Sequence, residues 1–190
     1  MINSIKVLTH DRIGIIREYA LHQLEQDSPP EALEQAVRLV HDKVIGEGAS
    51  NTIAFIRDPH CLQTLFELLH SKDRKLAIAA CKGIGSIQAP RALTKLNSII
   101  HAGPGDLRPA AVFGLSTFAP SSTLPTLLWC LDDKDSLVVI NACDVLTYIK
   151  EKRAVGKLKH LIHDPNRKIR EAVELAIEDL APKATTTSNR

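Results

Sequence analysis

The chain has 190 residues, of which 44% are hydrophobic, 24% charged and only 4% aromatic. This composition excludes disorder over most of the chain, and the length allows one domain or two small ones with a sizeable core. No apolar run is long enough to cross a bilayer. The formal net charge of +2 gives no electrostatic case for nucleic acid or an anionic membrane as the partner. Scarce aromatic residues beside abundant Ala, Leu and Ile favour an all-helical protein.

The N-terminal residues and the cysteines indicate the compartment. Residues 1–10 contain one lysine and no apolar segment of signal-peptide length, so we expect no secretory leader. The four cysteines show no CxxC spacing and are too few for a disulfide framework. We therefore predict reduced thiols in a cytoplasmic protein.

Residues 1–57 have helical patterns without a regular repeat. Residues 1–9 are expected to be an extended or frayed arm. Apolar spacing predicts one helix over residues 11–26 and another after Pro29-Pro30. The glycine-containing stretch 46–51 is expected to break the chain before a short helix over residues 52–57. We predict that this region is an irregular helical cap or a set of degenerate repeats, because the terminal units of a solenoid are often atypical.

A repeat of 31 residues occupies most of the remaining chain. Within each repeat, apolar residues at positions 5, 8 and 12, and again at 19, 23, 27 and 30, form two helical stripes. A polar turn separates the two stripes and supplies the predicted N-caps Asp73, Asp106 and Asp135. One helical pair cannot bury its apolar face alone, so we predict an all-α, right-handed α-solenoid and a disordered tail over residues 182–190. The four predicted repeats are 58–88, 89–119, 120–150 and 151–181.

Several short segments within these repeats resemble the HEAT repeat, in particular the short HEAT-like type named after the phycobilin lyases. The resemblance covers about two-thirds of the chain. It implies a helical solenoid, but this repeat serves many unrelated tasks and the resemblance does not define one function. The matching segments are Ala89-Pro90-Arg91-Ala92-Leu93, Leu107-Arg108-Pro109-Ala110-Ala111, Ile169-Arg170-Glu171-Ala172-Val173 and Gly83-Ile84-Gly85-Ser86-Ile87.

The resemblance implies that the second helix of each repeat lines a concave face. Positions 21, 24 and 25 would then point outward and form an apolar strip with an acidic end. A contiguous exposed apolar patch marks a partner site. The alternative is that curvature buries these residues between neighbouring helices. The candidate protein-binding residues are Ile78, Cys81, Val112, Phe113, Ile140 and Cys143, with Glu171 and Glu174 at the acidic end.

Trp129 is the one tryptophan of the chain and the second candidate contact. It occupies position 10, a column that otherwise holds Glu67, Ser98 and His160, so we expect the indole to be exposed on the convex side. Exposed tryptophans are frequent interface anchors, and they also cover surface grooves without any function. Both interpretations stay open.

His60 and Cys61 open the first clear repeat and give an alternative function. A partly exposed thiolate beside a histidine could act as a nucleophile or hold a bilin tetrapyrrole. Some isomerising phycobilin lyases carry a similar His-Cys pair, which is followed by a glycine and an asparagine. In this chain Leu62-Gln63 follows the pair instead. The resemblance would make the chain a subunit of a phycobilin lyase or a bilin chaperone.

The remaining histidines predict no metal site and no cofactor. His70, His101 and His163 share position 13, but successive repeats stand too far apart for three such ligands to meet at one ion. Iron hydroxylases built of HEAT repeats carry several His-Glu pairs, and this chain contains none. We therefore expect a non-catalytic scaffold or adaptor that binds a protein partner, alone or as a homodimer or heterodimer, and we expect no nucleic-acid or membrane partner.

Overall fold

The structure is a computed structural model that describes residues 2–181. The predicted disordered tail, residues 182–190, lies outside the described residues. The chain divides into two compact units, Met1–Phe118 and Ala119–Arg190, called here the first and second units. The described residues form twelve α-helices and three short 3-10 helices, and they contain no strand. The predicted all-α class is thus confirmed.

The first unit consists of four helical pairs. Within each pair the two helices pack together, and the second helices α4, α6 and α8 also pack on one another in chain order. Short 3-10 turns precede α5 and follow α8. The pairs are α1 (Ile2–Leu8) with α2 (Gly14–Asp27), α3 (Pro29–Leu39) with α4 (Gly46–Phe55), α5 (Leu62–Leu68) with α6 (Arg74–Ser86), and α7 (Pro90–Ala102) with α8 (Arg108–Gly114).

The second unit contains two helical pairs built in the same way. The second helices α10 and α12 pack against each other. Each 31-residue repeat predicted from the sequence contains one helical pair, so the periodic stripes correspond to real helices. The pairs are α9 (Pro120–Cys130) with α10 (Ser136–Tyr148), and α11 (Val155–Lys159) with α12 (Arg167–Leu180).

Residues 2–57 are more regular than the sequence predicted. The expected extended arm is helix α1, and Thr9 after it is buried with its hydroxyl donating to Gln35 Oε1 at 3.2 Å. The expected break at residues 46–51 is wrong, because these residues begin helix α4. Burial of Ala49 and Ile53 in α4 outweighs the low helix propensity of its two glycines.

Capping side chains begin three of the second helices. Asp73 accepts hydrogen bonds from the N–H groups of Lys75 and Leu76, and Asp135 accepts one from Leu137, as predicted. Asn166 caps α12 in the same way. The predicted cap at Asp106 is wrong: Leu107 holds the cap position of α8, and the carboxylate of Asp106 instead pairs with Arg74.

Glycines bring the second helices of the first unit close together. A Cβ atom at Gly83 would collide with the carbonyl oxygen of Ile53, and one at Gly85 would lie 2.5 Å from Gly114 Cα. Side-chain hydroxyls then connect the same helices. Ser86 Oγ donates to the carbonyl of Ala54 at 2.9 Å, and Thr117 Oγ1 donates to that of Gly85 at 2.6 Å. These contacts fix the spacing of α4, α6 and α8.

Acid is expected to destabilise the fold through carboxylates in its turns. The N–H groups of Val44 and Ile45, followed by the Arg17 guanidinium, lower the pKa of Asp42 below its ordinary value of 3.8. Such a group binds fewer protons when folded, so its stabilisation is present above 3.8 and is lost as the pH falls through the lower folded pKa. Hydrogen bonds are also the main cause that lowers the pKa values of other carboxylates, namely Asp58, Asp73, Asp106 and Glu151.

We therefore expect the urea midpoint, followed by circular dichroism, to fall steeply below about pH 4. The Asp42→Asn variant should lose less stability over this range than the wild type. An equally steep fall in that variant would show that Asp42 does not contribute to the acid sensitivity.

Candidate protein-binding surface

Three residues of the predicted apolar strip are buried, so their predicted exposure is wrong. Cys81, Val112 and Cys143 are all 0% exposed. They share position 24, and this position faces the packing between helices, as the burial alternative proposed. Cys81 shows the reason, because its thiol donates to the carbonyl of Leu107 at the start of α8, at 3.7 Å.

Position 25 and, in part, position 21 remain at the surface of the first unit. Phe113 on α8 is 41% exposed, and the ammonium group of Lys82 on α6 lies 5.5 Å from its ring centroid. Ile78 on α6 is half-buried. A cation over an aromatic face is an attractive contact that holds the ring in place. Phe113, Lys82 and Ile78 are called the first-unit patch below.

The corresponding surface of the second unit, on its second helices α10 and α12, is more acidic. Ile140 on α10 is half-buried, whereas Glu171, Glu174 and Leu175 on α12 are exposed, and Leu175 reaches 65%. Arg167 donates to Glu171 at 2.7 Å and offsets part of this charge. The predicted acidic residues are therefore accessible, although one of them already has an ion-pair partner.

Trp129 lies in the second unit on α9 and is 43% exposed. The exposure predicted from its polar column is confirmed. Its role as an interface anchor stays a prediction.

The structure does not assemble His60 and Cys61 into a reactive pair. His60 is exposed, and its Nδ1 lies 2.7 Å from the carboxylate of Asp58. Cys61 is buried, so its predicted partial exposure is wrong. Burial, followed by the charges of Asp58 and Glu31, raises the pKa of this thiol to about 11. A thiol held protonated and away from solvent is a poor nucleophile and a poor attachment point.

The histidines at position 13 of the repeats lie at the protein surface. His70, His101 and His163 are all exposed. Over residues 2–181 no group of three or more His, Cys, Asp or Glu side chains could hold a metal ion. None of the helices described is long and apolar enough to cross a membrane.

The sequence reasoning missed a cleft of about 240 Å³ between α2 and α4 in the first unit. Each side contributes residues spaced i, i+3, i+4 and i+7, which is one face of a helix over two turns. Reading this spacing in residues 1–57 would have found both faces, but the glycines of α4 were interpreted as a break. The lining residues are Glu18, Leu21, His22 and Glu25 from α2, and Ile45, Gly48, Ala49 and Thr52 from the start and body of α4.

Comparison with known proteins agrees with this architecture. The family described as HEAT repeats matches residues 98–178. Residues 98–178 are therefore similar to HEAT repeats, in keeping with the helical pairs of both units. No curated protein sequence matches it significantly.

The solved structures that match the chain have low sequence identity to it. Human deoxyhypusine hydroxylase in complex with glycerol is 15% identical, with 94% of this chain and 84% of that chain covered at a TM-score of 0.48. An engineered protein is also 15% identical, with 94% and 96% covered and a TM-score of 0.47. A designed armadillo repeat protein is 18% identical, with 95% and 100% covered and a TM-score of 0.43. Similarity at this level says nothing about what the chain binds.

Proposed function

We propose that the chain is a non-catalytic scaffold that binds a protein partner through exposed side chains on the second helices of its repeats. The observation that carries this proposal is Phe113, a large aromatic residue left 41% exposed on α8, with half-buried Ile78 one helical turn before Lys82 on α6. Aromatic side chains that are exposed alone and buried in a complex are typical interface anchors. Lys82 over the ring reduces the ring's freedom before binding, and this lowers the entropy lost in the complex.

The second unit supports the same function with different chemistry. Exposed Leu175 gives an apolar contact, and Glu171 and Glu174 beside it would orient a partner of opposite charge. Trp129 on α9 is a separate candidate anchor. The partner is a second protein or a second copy of the chain, and four unpaired buried thiols fit a cytoplasmic location.

The phycobilin lyase alternative has no support from the described thiols. All four cysteines are buried, including Cys61, so none offers a surface sulfur to a bilin. We therefore do not propose bilin attachment at the His60–Cys61 pair.

The proposal is tested by replacing Phe113 with aspartate. Wild-type and Phe113→Asp proteins are used as baits, and a protein lost only with the variant is purified and titrated by calorimetry. We expect at least about a tenfold weaker Kd for Phe113→Asp, because an apolar aromatic anchor is replaced by a smaller carboxylate that loses its water in the complex.

Phe55→Asp is the matched control, since Phe55 is also an exposed phenylalanine of the first unit, at the end of α4. It should bind like the wild type. Equal affinity of the Phe113→Asp and wild-type proteins would refute the first-unit patch as the docking site. A coloured eluate from either bait would instead favour the bilin alternative.

A further inference from the structure

The geometry points to a binding site for one cationic side chain. We propose that the cleft between α2 and α4 takes a lysine or arginine side chain from the protein partner. This inference rests on the proposed scaffold function, and it adds the chemistry of the segment that is bound. The argument comes from the floor of the cleft, its two carboxylates and its size.

The floor of the cleft is apolar and is open because one lining residue has no side chain. Leu21 comes from α2, and Ile45 and Ala49 come from the α4 side. Gly48 also lines the cleft, and an added Cβ atom there would meet nothing within 4 Å. The aliphatic stem of a lysine or arginine packs well on such a surface, because these side chains bury their methylene groups and keep the charged end in a polar environment.

Two carboxylates lie at the ends of this floor. Glu18 and Glu25 are seven residues apart on the same face of α2, which separates their Cα atoms by about 10 Å. Glu25 is held in place, because the hydroxyl of Thr52 donates to one of its oxygens and His22 Nδ1 lies 3.3 Å from the other. Glu18 makes no ion pair with any residue in the range 2–181. One carboxylate is therefore positioned by the protein, and the other is available to a ligand.

Charge complementarity selects a cationic occupant over an apolar one. An apolar side chain would fill the floor but would remove water from Glu18 without replacing its hydrogen bonds, and this carries a free-energy cost. An ammonium or guanidinium group instead donates charge-assisted hydrogen bonds to the carboxylate. The volume of about 240 Å³ lies below the range of sites for drug-sized ligands, which fits one side chain rather than a cofactor.

The test uses the full chain labelled with ¹⁵N and short peptides as probes. The peptides are acetyl-Ala-Lys-Ala-amide, its arginine counterpart, and a norleucine counterpart that has the stem without the charge. We expect saturable shifts of the amide signals of Leu21, Gly48 and Ala49 with the two cationic peptides, at a Kd of about 1 mM or tighter. The norleucine peptide should bind at least about fivefold more weakly.

Two variants assign the binding to this cleft. Gly48→Leu places a side chain in the open space and should abolish the saturable shifts, whereas the same change at Gly156, which also has open space around it, should leave them intact. Glu18→Gln should weaken binding at least about threefold. The spectra report folding of each variant, and Glu18→Gln keeps the test valid if Gly48→Leu is unfolded.

Equal shifts with the norleucine peptide, or no saturation at about 10 mM of either cationic peptide, would overturn the proposal. These outcomes are separate from the test at Phe113. A partner that is lost on Phe113→Asp but binds Gly48→Leu normally refutes the cleft alone. A partner that is lost on Gly48→Leu but retained by Phe113→Asp refutes the first-unit patch alone.

Discussion

Gly83→Ala is expected to destabilise the protein by about 2 kcal/mol, although alanine is the better helix former. The added methyl group would collide with the carbonyl oxygen of Ile53, which is a backbone atom of α4 and cannot move as a flexible side chain can. Helix α6 would have to shift away from α4, and the hydrogen bond from Ser86 to Ala54 would lengthen with it. Urea denaturation followed by circular dichroism measures the change in unfolding free energy.

Gly48→Ala is the matched control for this experiment. It is the same substitution inside a helix of the same unit, but its added methyl group meets nothing within 4 Å. This variant should gain about 0.5–1 kcal/mol, as expected when a helical glycine becomes alanine without a clash. If both variants were stabilised, close packing of α6 on α4 would not be a determinant of stability.

The second large effect is expected in thiol reactivity. Burial is the main cause that raises the pKa of Cys61 to about 11, and of Cys81 and Cys143 to about 12, from an ordinary value of 9.0. At about pH 8 the thiolate fraction of Cys61 is then about a hundredfold below that of a free cysteine, before its limited access is counted. Native protein should therefore react with an aromatic disulfide reagent at least about a hundredfold more slowly than free cysteine does.

The same reagent in concentrated urea should titrate four thiols per chain, since all four cysteines are free. Cys61→Ser identifies the contribution of this residue to any fast phase. A fast native phase that disappears in Cys61→Ser would show that the thiol is accessible, and it would restore the bilin alternative.

The helices of the repeats could be predicted because their signal is local. Apolar residues three and four positions apart define a helical stripe, and the stripes of residues 58–181 correspond to α5–α12. The caps Asp73 and Asp135 could be predicted for the same reason, because a cap and its recipient N–H lie within one turn. Asp106 could not, since its pairing with Arg74 depends on the neighbouring helical pair.

Exposure of the binding residues was harder to predict because it depends on how closely neighbouring helices approach. Position 24 is outward-facing on an isolated helical pair but is buried once the second helices pack together, as the contact of Cys81 with Leu107 shows. Position 25 lies one residue further around the helix, and Phe113 there keeps its exposure. The glycines that allow this approach, Gly83 and Gly85, have no signal in an apolar pattern.

The cleft between α2 and α4 was missed because the start of α4 was predicted to be a break in the chain. Gly46 and Gly48 in a short polar stretch are typical of a loop, but tertiary packing of Ala49 and Ile53 makes the segment helical. The absent side chain at Gly48 then leaves open space rather than a turn.

Helix α1 has no buried residue, so little buried apolar surface holds it against α2. Local opening of a protein begins where such packing is weakest. The cleft exists only while α2 stays beside α4, since each helix supplies one of its walls. A ligand in the cleft binds only the state in which α2 is packed beside α4. It therefore raises the free energy of local opening, just as any ligand stabilises the folded state that it binds. Slower amide hydrogen exchange at α2 would thus report that the cleft is occupied, without any label on the ligand.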